Sequence, residues 1–301
     1  MDNIHNFTHK CHDNEIFIND LSIKSNDNFN MSCIVPENHP HFDDESKTHK
    51  NINPMFIMEC CRQAETYITH KLFNIEKSKV FIFNNLSFSI NENYHLIKDV
   101  KIKTIDLDIH SSHQTNIGNK LKNNIYIFNV IVNKKVIAIV SFNVSYLNQI
   151  CYKHIRGEIN KTQVIINNYR INPEKVGYKS EINSILSQTN DLHCFKKALI
   201  NINKENISYY DHYQDHITGM NLIESYKQLC FLFLHERKKI NLSKITITSI
   251  NVNFYIYIEI SQVSLVEIDS FHVKNNNIVM SLTANQNGLK KSQCEIKLTV
   301  E

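Results

Sequence analysis

"NINPMFIMECCRQ" (Asn51–Gln63) and "DHITGMNLIESYKQ" (Asp215–Gln228) carry one polar pattern twice. Met55, Glu59, Arg62 and Gln63 in the first stretch match Met220, Glu224, Lys227 and Gln228 in the second, all offset by 165 positions. Residues at i, i+3 and i+4 of a helix share one face, so each Glu, its basic partner and its Gln are neighbours. Asn53-Pro54 marks a helix start: Asn is a good N-cap, and the missing N–H of Pro is not needed at the first position. Met58, Cys61, Ile68 and Leu72 carry an apolar stripe on to about Phe73. The second helix is expected from about Gly219 to Glu236. The fixed offset reads as a duplicated module.

Around each helix the pattern turns to period two, with Val, Ile, Phe and Tyr alternating with polar residues. In the first half Met31–Pro36 reads as a strand before the helix. Val80–Ile90, His95–His110, Asn124–Val132 and Val136–Leu147 follow it. In the second half the strand Cys194–Ile202 precedes the helix, and Leu242–Phe254, Tyr255–Glu267, Phe271–Ala284 and Gln293–Val300 come after. An antiparallel meander has an apolar face to cover, and a sheet wrapped around one long helix satisfies both elements. That is the hotdog architecture. The expected fold is α+β, a tandem double hotdog, with an N-terminal domain over 1–155 and a C-terminal domain over 156–301. Two copies joined edge to edge would pair their edge strands. A monomer with pseudo-dimeric halves, or a weak homo-oligomer, is expected.

Bulk composition narrows the function classes. Hydrophobic residues at 42% and charged residues at 21% support a packed core. A net charge of +3 with scattered lysines shows none of the basic stripe of a nucleic-acid binder. Met1 to Cys11 lacks an apolar signal core, and no apolar run reaches the roughly 18 residues of a membrane span. Eight cysteines show no C-x-x-C spacing, so a reducing, cytoplasmic location is expected, with no structural zinc.

The repeated cluster has two readings. Glu and a cation at i, i+3 can be a structural ion pair. Alternatively, a carboxylate placed in an apolar helix costs several kcal/mol unless paired, and such groups are often kept for chemistry. Glu59 or Glu224 could then act as general base, with Arg62 or Lys227 holding a phosphate or a developing oxyanion. The helix starts at Asn53 and Gly219 would offer backbone N–H donors to a thioester carbonyl. His212 and His216, beside Asp211 and Asp215, are candidate substrate-binding groups. A metal site there lacks an obvious third ligand. His39, His41 and His49 read as loop positions. Nucleophile-elbow, P-loop and dinucleotide motifs are absent.

At these residues the sequence resembles the A-factor biosynthesis hotdog-repeat family, the γ-butyrolactone synthases of signalling bacteria. The family's second half carries a stretch like F-D-H-P-x-D-H-V-P-G-M-x-L-x-E-A-A-R-Q, which stands here as "YDHYQDHITGMNLIESYKQ" (Tyr210–Gln228). Its first half carries H-P-x-F and D-P-L-x-x-x-E-x-x-R-Q-A, here "HPHF" (His39–Phe42) and "NPMFIMECCRQA" (Asn53–Ala64). "VFIFNNLSFSI" (Val80–Ile90) resembles the strand after the first helix, and "VGYKSEINSILS" (Val176–Ser187) a V-G-R segment. The resemblance implies an acyltransferase that condenses a β-ketoacyl thioester, on acyl carrier protein or coenzyme A, with dihydroxyacetone phosphate, without a cofactor. It implies catalytic roles for Glu59, Arg62, Glu224 and Lys227, and substrate contacts for Gln63, Gln228, His212, His216, Asn53 and Gly219. Lys227 stands in place of the family Arg, Tyr178 in place of the V-G-R arginine, and Thr218 in place of the Pro before Gly219. A hotdog thioesterase or dehydratase, or a non-catalytic acyl-binding protein, are the alternatives.

Overall fold

The first long helix starts where its capping signal stands. Asn53 Oδ1 accepts from Met55 N at 2.9 Å, and α1 (Pro54–Lys71) runs on from there. A short helix, α2, follows at Gln149–Arg156. The second long helix, α3, is Gly219–Lys238; its N-cap is Thr218, whose hydroxyl accepts from Asn221 N at 3.3 Å. The computed structural model describes residues 4–46, 52–117, 120–157, 169–189, 191 and 195–301.

The chain divides into two compact units, Met1–Glu37 with Lys50–Glu158, and Asn38–His49 with Ile159–Glu301. The segment containing "HPHF", read with the N-terminal half, thus packs in the second unit. In the first unit the strands are β1 (Ile18–Ser25), β2 (Asn28–Ile34), β3 (Val80–Ile90), β4 (Thr104–Ile117), β5 (Lys120–Val132) and β6 (Lys135–Leu147). They pair antiparallel in the order β1-β2-β4-β5-β6-β3. The second unit holds β7 (Leu186–Ser187), β8 (Lys197–Ile200), β9 (Ile245–Phe254), β10 (Leu265–Lys274), β11 (Asn277–Gln286) and β12 (Leu289–Val300). Their order, β7-β8-β10-β11-β12-β9, follows the same plan and is again antiparallel throughout.

Each long helix is buried on nearly every side. Fifteen of the 18 residues of α1 are buried, and so is every residue of α3 from Asn221 to Leu234. A surface helix would keep one polar face; these helices have none to spare. Each buried Leu, Phe or Ile contributes about 1.5–3 kcal/mol, so the helices are firmly seated and any polar group in them must find a partner.

Several sequence expectations need correction; the strand read over Phe271–Ala284, for one, is split between the end of β10 and the start of β11. The stretch from His95 to Lys103 is not strand: Glu92–Ile97 is a 3-10 turn, capped where Asn91 Oδ1 accepts from Asn93 N, and β4 starts only at Thr104. Tyr255–Ser264 is not strand either. Tyr255 N and Ile256 N still donate to Lys291 O of β12, at 2.9 and 3.2 Å, but the chain then turns away to meet residues 215–217, with Ile217 N donating to Ile258 O at 2.8 Å. The segment around Cys151–Lys161, read as a polar connection, begins with α2; from 158 to 168 it lies outside the described residues. The strand expected from Cys194 runs from Lys197 to Ile200, and Cys194 itself is outside the described residues. β1 was not anticipated.

Candidate functional site

Glu59 is the sixth residue of α1 and Glu224 the sixth of α3, and both carboxylates are buried, 5% and 1% exposed. Helix spacing alone brings Arg62 and Gln63 onto Glu59. Arg62 donates from Nε to Oε2 and from Nη2 to Oε1, each at 2.8 Å, the two-pronged geometry that favours arginine over lysine. Gln63 Nε2 donates to the same Oε1 at 2.8 Å, and Lys10 Nζ lies 3.2 Å from it. Burial alone would push this carboxyl up, but Arg62 and Lys10 hold it well below the usual carboxylate range. Glu15 closes the cluster, 3.7 Å from Lys10.

The second unit builds the same cluster with other parts. Lys227 Nζ lies 3.1 Å from Glu224 Oε2 and 3.3 Å from Oε1 of Glu45, which comes from the 38–49 segment. Tyr178 stands between them: its phenol donates to Glu224 Oε1 at 2.9 Å and accepts from Lys227 Nζ at 2.9 Å. The ammonium also sits 4.7 Å from the centre of the Tyr178 ring. Gln228 Nε2 donates to Glu224 Oε1 at 2.8 Å. Here burial prevails, and the Glu224 carboxyl is pushed up despite Lys227. Burial opposes the charge on Lys227, yet Glu224 and Glu45 together raise its pKa, so it stays an ammonium.

Each Gln has a second duty. Gln63 Nε2 donates to Glu15 O at 2.7 Å while its Oε1 accepts from Phe17 N at 2.9 Å. Gln228 Nε2 donates to Asn183 O at 2.7 Å and its Oε1 accepts from Ile185 N at 2.9 Å. Each amide therefore grips an extended strand of backbone as a neighbouring β-strand would, and fixes the carboxylate with its remaining hydrogen.

Sequence reasoning singled out the members of these clusters that lie on the helices and missed Lys10, Glu15, Glu45 and, as a contact, Tyr178. His39 and His41, read as loop positions, are buried in the second unit. His41 stacks on Tyr178 with ring centres 5.4 Å apart, and its Nδ1 lies 3.2 Å from Asn183 Oδ1. His49 lies outside the described residues. His212 and His216 sit against Asp211 and Asp215, at 3.4 and 2.6 Å, and His216 packs on Tyr257. Neither imidazole hydrogen-bonds to Glu224 or Lys227. At the helix starts, the Asn53 and Thr218 side chains take up the N–H groups of Met55 and Asn221. A cavity of about 170 Å³ lies in the second unit, with Arg170, Lys175, Lys197, Phe195 and Leu232 in its wall. It meets α3 at Leu232, two turns beyond Glu224, and no member of the Glu224 cluster lines it.

Two units of one plan, each with a buried acid on its long helix, define a protein of repeated hotdog type. The A-factor biosynthesis hotdog domain matches residues 4–148 and again 163–300, and the chain belongs to that family. Solved structures of similar fold include an acyl-ACP thioesterase from Bacteroides thetaiotaomicron, at 10% identity over 90% of this chain and 97% of that one, with a TM-score of 0.52. An oleoyl thioesterase (putative) from Lactobacillus plantarum gives 6%, 91%, 96% and 0.55. The 12:0-ACP thioesterase from Umbellularia californica gives 10%, 93%, 100% and 0.52. No curated protein sequence matches the chain. Among the described residues, no helix is long and apolar enough to cross a membrane.

Proposed function

We propose that this chain is a tandem double hotdog acyltransferase that moves a β-ketoacyl group from an acyl carrier protein or coenzyme A thioester to a hydroxyl of dihydroxyacetone phosphate or a similar acceptor. The observation that carries this reading is the family match across both halves, with its motif carboxylates Glu59 and Glu224 buried at the same helix position. One of these carboxyl groups takes the proton of the attacking hydroxyl. The C–O bond forms, the C–S bond breaks, and the proton goes to the departing thiolate. His212 and His216, on the approach to α3, contact the acceptor.

A second reading, a thioesterase, rests on one feature of the clusters. Arg62 is bonded twice to Glu59, and Lys227 is shared by Glu224 and Glu45. Both cations are committed inside the protein, and an acceptor phosphate would have to displace a carboxylate to reach them. With water as acceptor no such exchange is needed. The thioesterases among the solved structures of similar fold accord with this reading.

Purified protein incubated with β-ketoacyl carrier protein, with and without dihydroxyacetone phosphate, separates the two. The phosphorylated ester by mass spectrometry supports the transferase. Free acid at equal rates with and without acceptor supports the thioesterase. Intact thioester across several chain lengths removes both.

A further inference from the structure

The cavity of the second unit lies away from both buried carboxylates. Leu232, in its wall, follows Glu224 by two turns, about 12 Å along α3. Three cations line it: Arg170 from the chain bridged to β7, Lys175 from the 3-10 turn Pro173–Val176, and Lys197 from β8. Among the described residues its wall holds one carboxylate, Asp191, which is exposed. Phe195 and Leu232 give it an apolar side.

Arg170 sets the charge of a fitting ligand. Its Nη1 donates to Ser184 O and to Asn201 O, the latter at 2.7 Å, and these carbonyls carry no charge. Among the described residues, its Nε and Nη2 make no hydrogen bond, and no carboxylate lies within ion-pair distance. Arg62 and Lys227, on the long helices, each hold a carboxylate; Arg170 is half-buried without one. Burial pushes its pKa down, and the Tyr209 phenol and the Glu181 carboxylate oppose this only from farther off. Taking a cation out of water is costly unless a counter-charge meets it. We propose that this cavity binds a small phosphate monoester, held by Arg170 together with Lys175 and Lys197, at a site separate from Glu59 and Glu224.

The two lysines are able to turn to such a ligand. Lys175 pairs with Glu236 at 2.5 Å and Lys197 with Glu267 at 2.8 Å, but their side chains are 42% and 49% exposed. Exposed pairs contribute about 1 kcal/mol or less, so an ammonium can exchange one carboxylate for another anion. A planar guanidinium fork alone satisfies the two oxygens of a carboxylate. A fork and two ammonium groups from separate stretches of chain suit the three terminal oxygens of a phosphate better. Size points the same way: about 150 Å³ is enough for benzene, so a cavity of about 170 Å³ has room for a phosphate and a few carbons against Phe195 and Leu232. A free phosphate ion shares the charge chemistry but leaves the apolar side uncovered.

The test is calorimetric titration of the full chain, at constant ionic strength, with glycerol 3-phosphate, inorganic phosphate and butyrate. Glycerol 3-phosphate should fill one site with a Kd of about 1 mM or below, and bind about ten-fold tighter than either of the others. Equal binding of inorganic phosphate would make the free ion the ligand and overturn the monoester. Equal binding of butyrate would overturn the phosphate. Arg170→Gln should weaken glycerol 3-phosphate by about ten-fold or more, as expected for the loss of charged hydrogen bonds. Because Arg170 also holds two carbonyls, two further variants keep the test open if that one does not fold. Leu232→Phe retains every cation but fills the cavity, and Lys175→Gln leaves the Arg170 bonds in place; each should weaken binding. A folded Arg170→Gln that binds like the parent, unchanged binding in both other variants, or no saturable binding in the parent would overturn the site. No thioester is present in the titration, so its result and that of the reaction assay stand apart.

Discussion

Gln228 lies 2.8 Å from the Glu224 carboxylate and holds the backbone of Asn183 and Ile185 with the rest of its amide. The same three bonds join Gln63 to Glu59, Glu15 and Phe17. The Gln of the repeated motif is thus a bracket between the acid and the chain that crosses it.

Gln63→Ala and Gln228→Ala should each destabilise their unit by about 1–3 kcal/mol, because a backbone N–H and a carbonyl are left buried without partners. Gln→Met should do no better, since volume without donors repairs nothing. Urea unfolding followed by circular dichroism measures both. A loss below about 0.5 kcal/mol, the usual limit for surface changes, would show that the amides do not hold these strands.

Glu59→Ala should cost about 3–5 kcal/mol at neutral pH, by leaving the half-buried Arg62 and Lys10 without the carboxylate they share. The pH dependence has a definite sign. A carboxyl lowered in the folded state stabilises above its unfolded value, 4.5, and that contribution fades as pH falls through the folded value. The gap between variant and parent should therefore narrow in acid. A gap that is constant from pH 7 to pH 3 would refute the ion pair as its source.

Glu65 should behave in the opposite way. It is fully buried, and its carboxylate accepts from Thr66, Thr69 and Tyr146, all neutral. Burial pushes its carboxyl up to about 7, with those hydrogen bonds opposing. A carboxyl raised from 4.5 stabilises below its unfolded value, and stability is lost as pH rises through about 7. The full loss is on the order of 3 kcal/mol. Glu65→Gln should decline less than the parent over this range and exceed it at pH 8, by thermal melts at stepped pH; the Glu224 carboxyl, also raised by burial, remains in both. If the parent shows no decline between pH 5 and pH 8, Glu65 is not the titrating group described.

What could be read from sequence follows from where each contact arises. Glu59, Arg62 and Gln63 meet through helix spacing, so the cluster on α1 was legible, as was its copy on α3. Lys10, Glu15 and Glu45 reach the helices from distant segments. The offset of 168 positions that relates Lys10 and Glu15 to Tyr178 and Asn183 carries different residue types, "THKCHDNEIF" against "VGYKSEINSI", so no repeat is visible in it, and Glu45 has no counterpart there. β1, "INDLSIKS", escaped notice because only Ile18 of it is buried, so it lacks the alternation that marks a half-buried strand. Tyr255 and Ile256 misled for the converse reason: they alternate like a strand but stand exposed.

Gly177 supplies the last test. Its φ of 89° lies where side chains with a Cβ are strained, and a Cβ there would meet Phe231 Cδ2 at 2.7 Å. Phe231 is buried in α3, one turn beyond Lys227, so it cannot swing into solvent. Gly177→Ala should then cost about 1–3 kcal/mol from the contact, with a further cost of similar size from the backbone. It should also move the adjoining Tyr178 off Glu224. Phe231→Leu removes the ring edge, so the double variant should regain the contact share and keep the backbone share. A double-mutant cycle by chemical denaturation separates them, with a coupling of about 1 kcal/mol or more expected for residues in contact. Strict additivity would mean that Gly177 is required for its φ alone and that Phe231 plays no part in seating Tyr178.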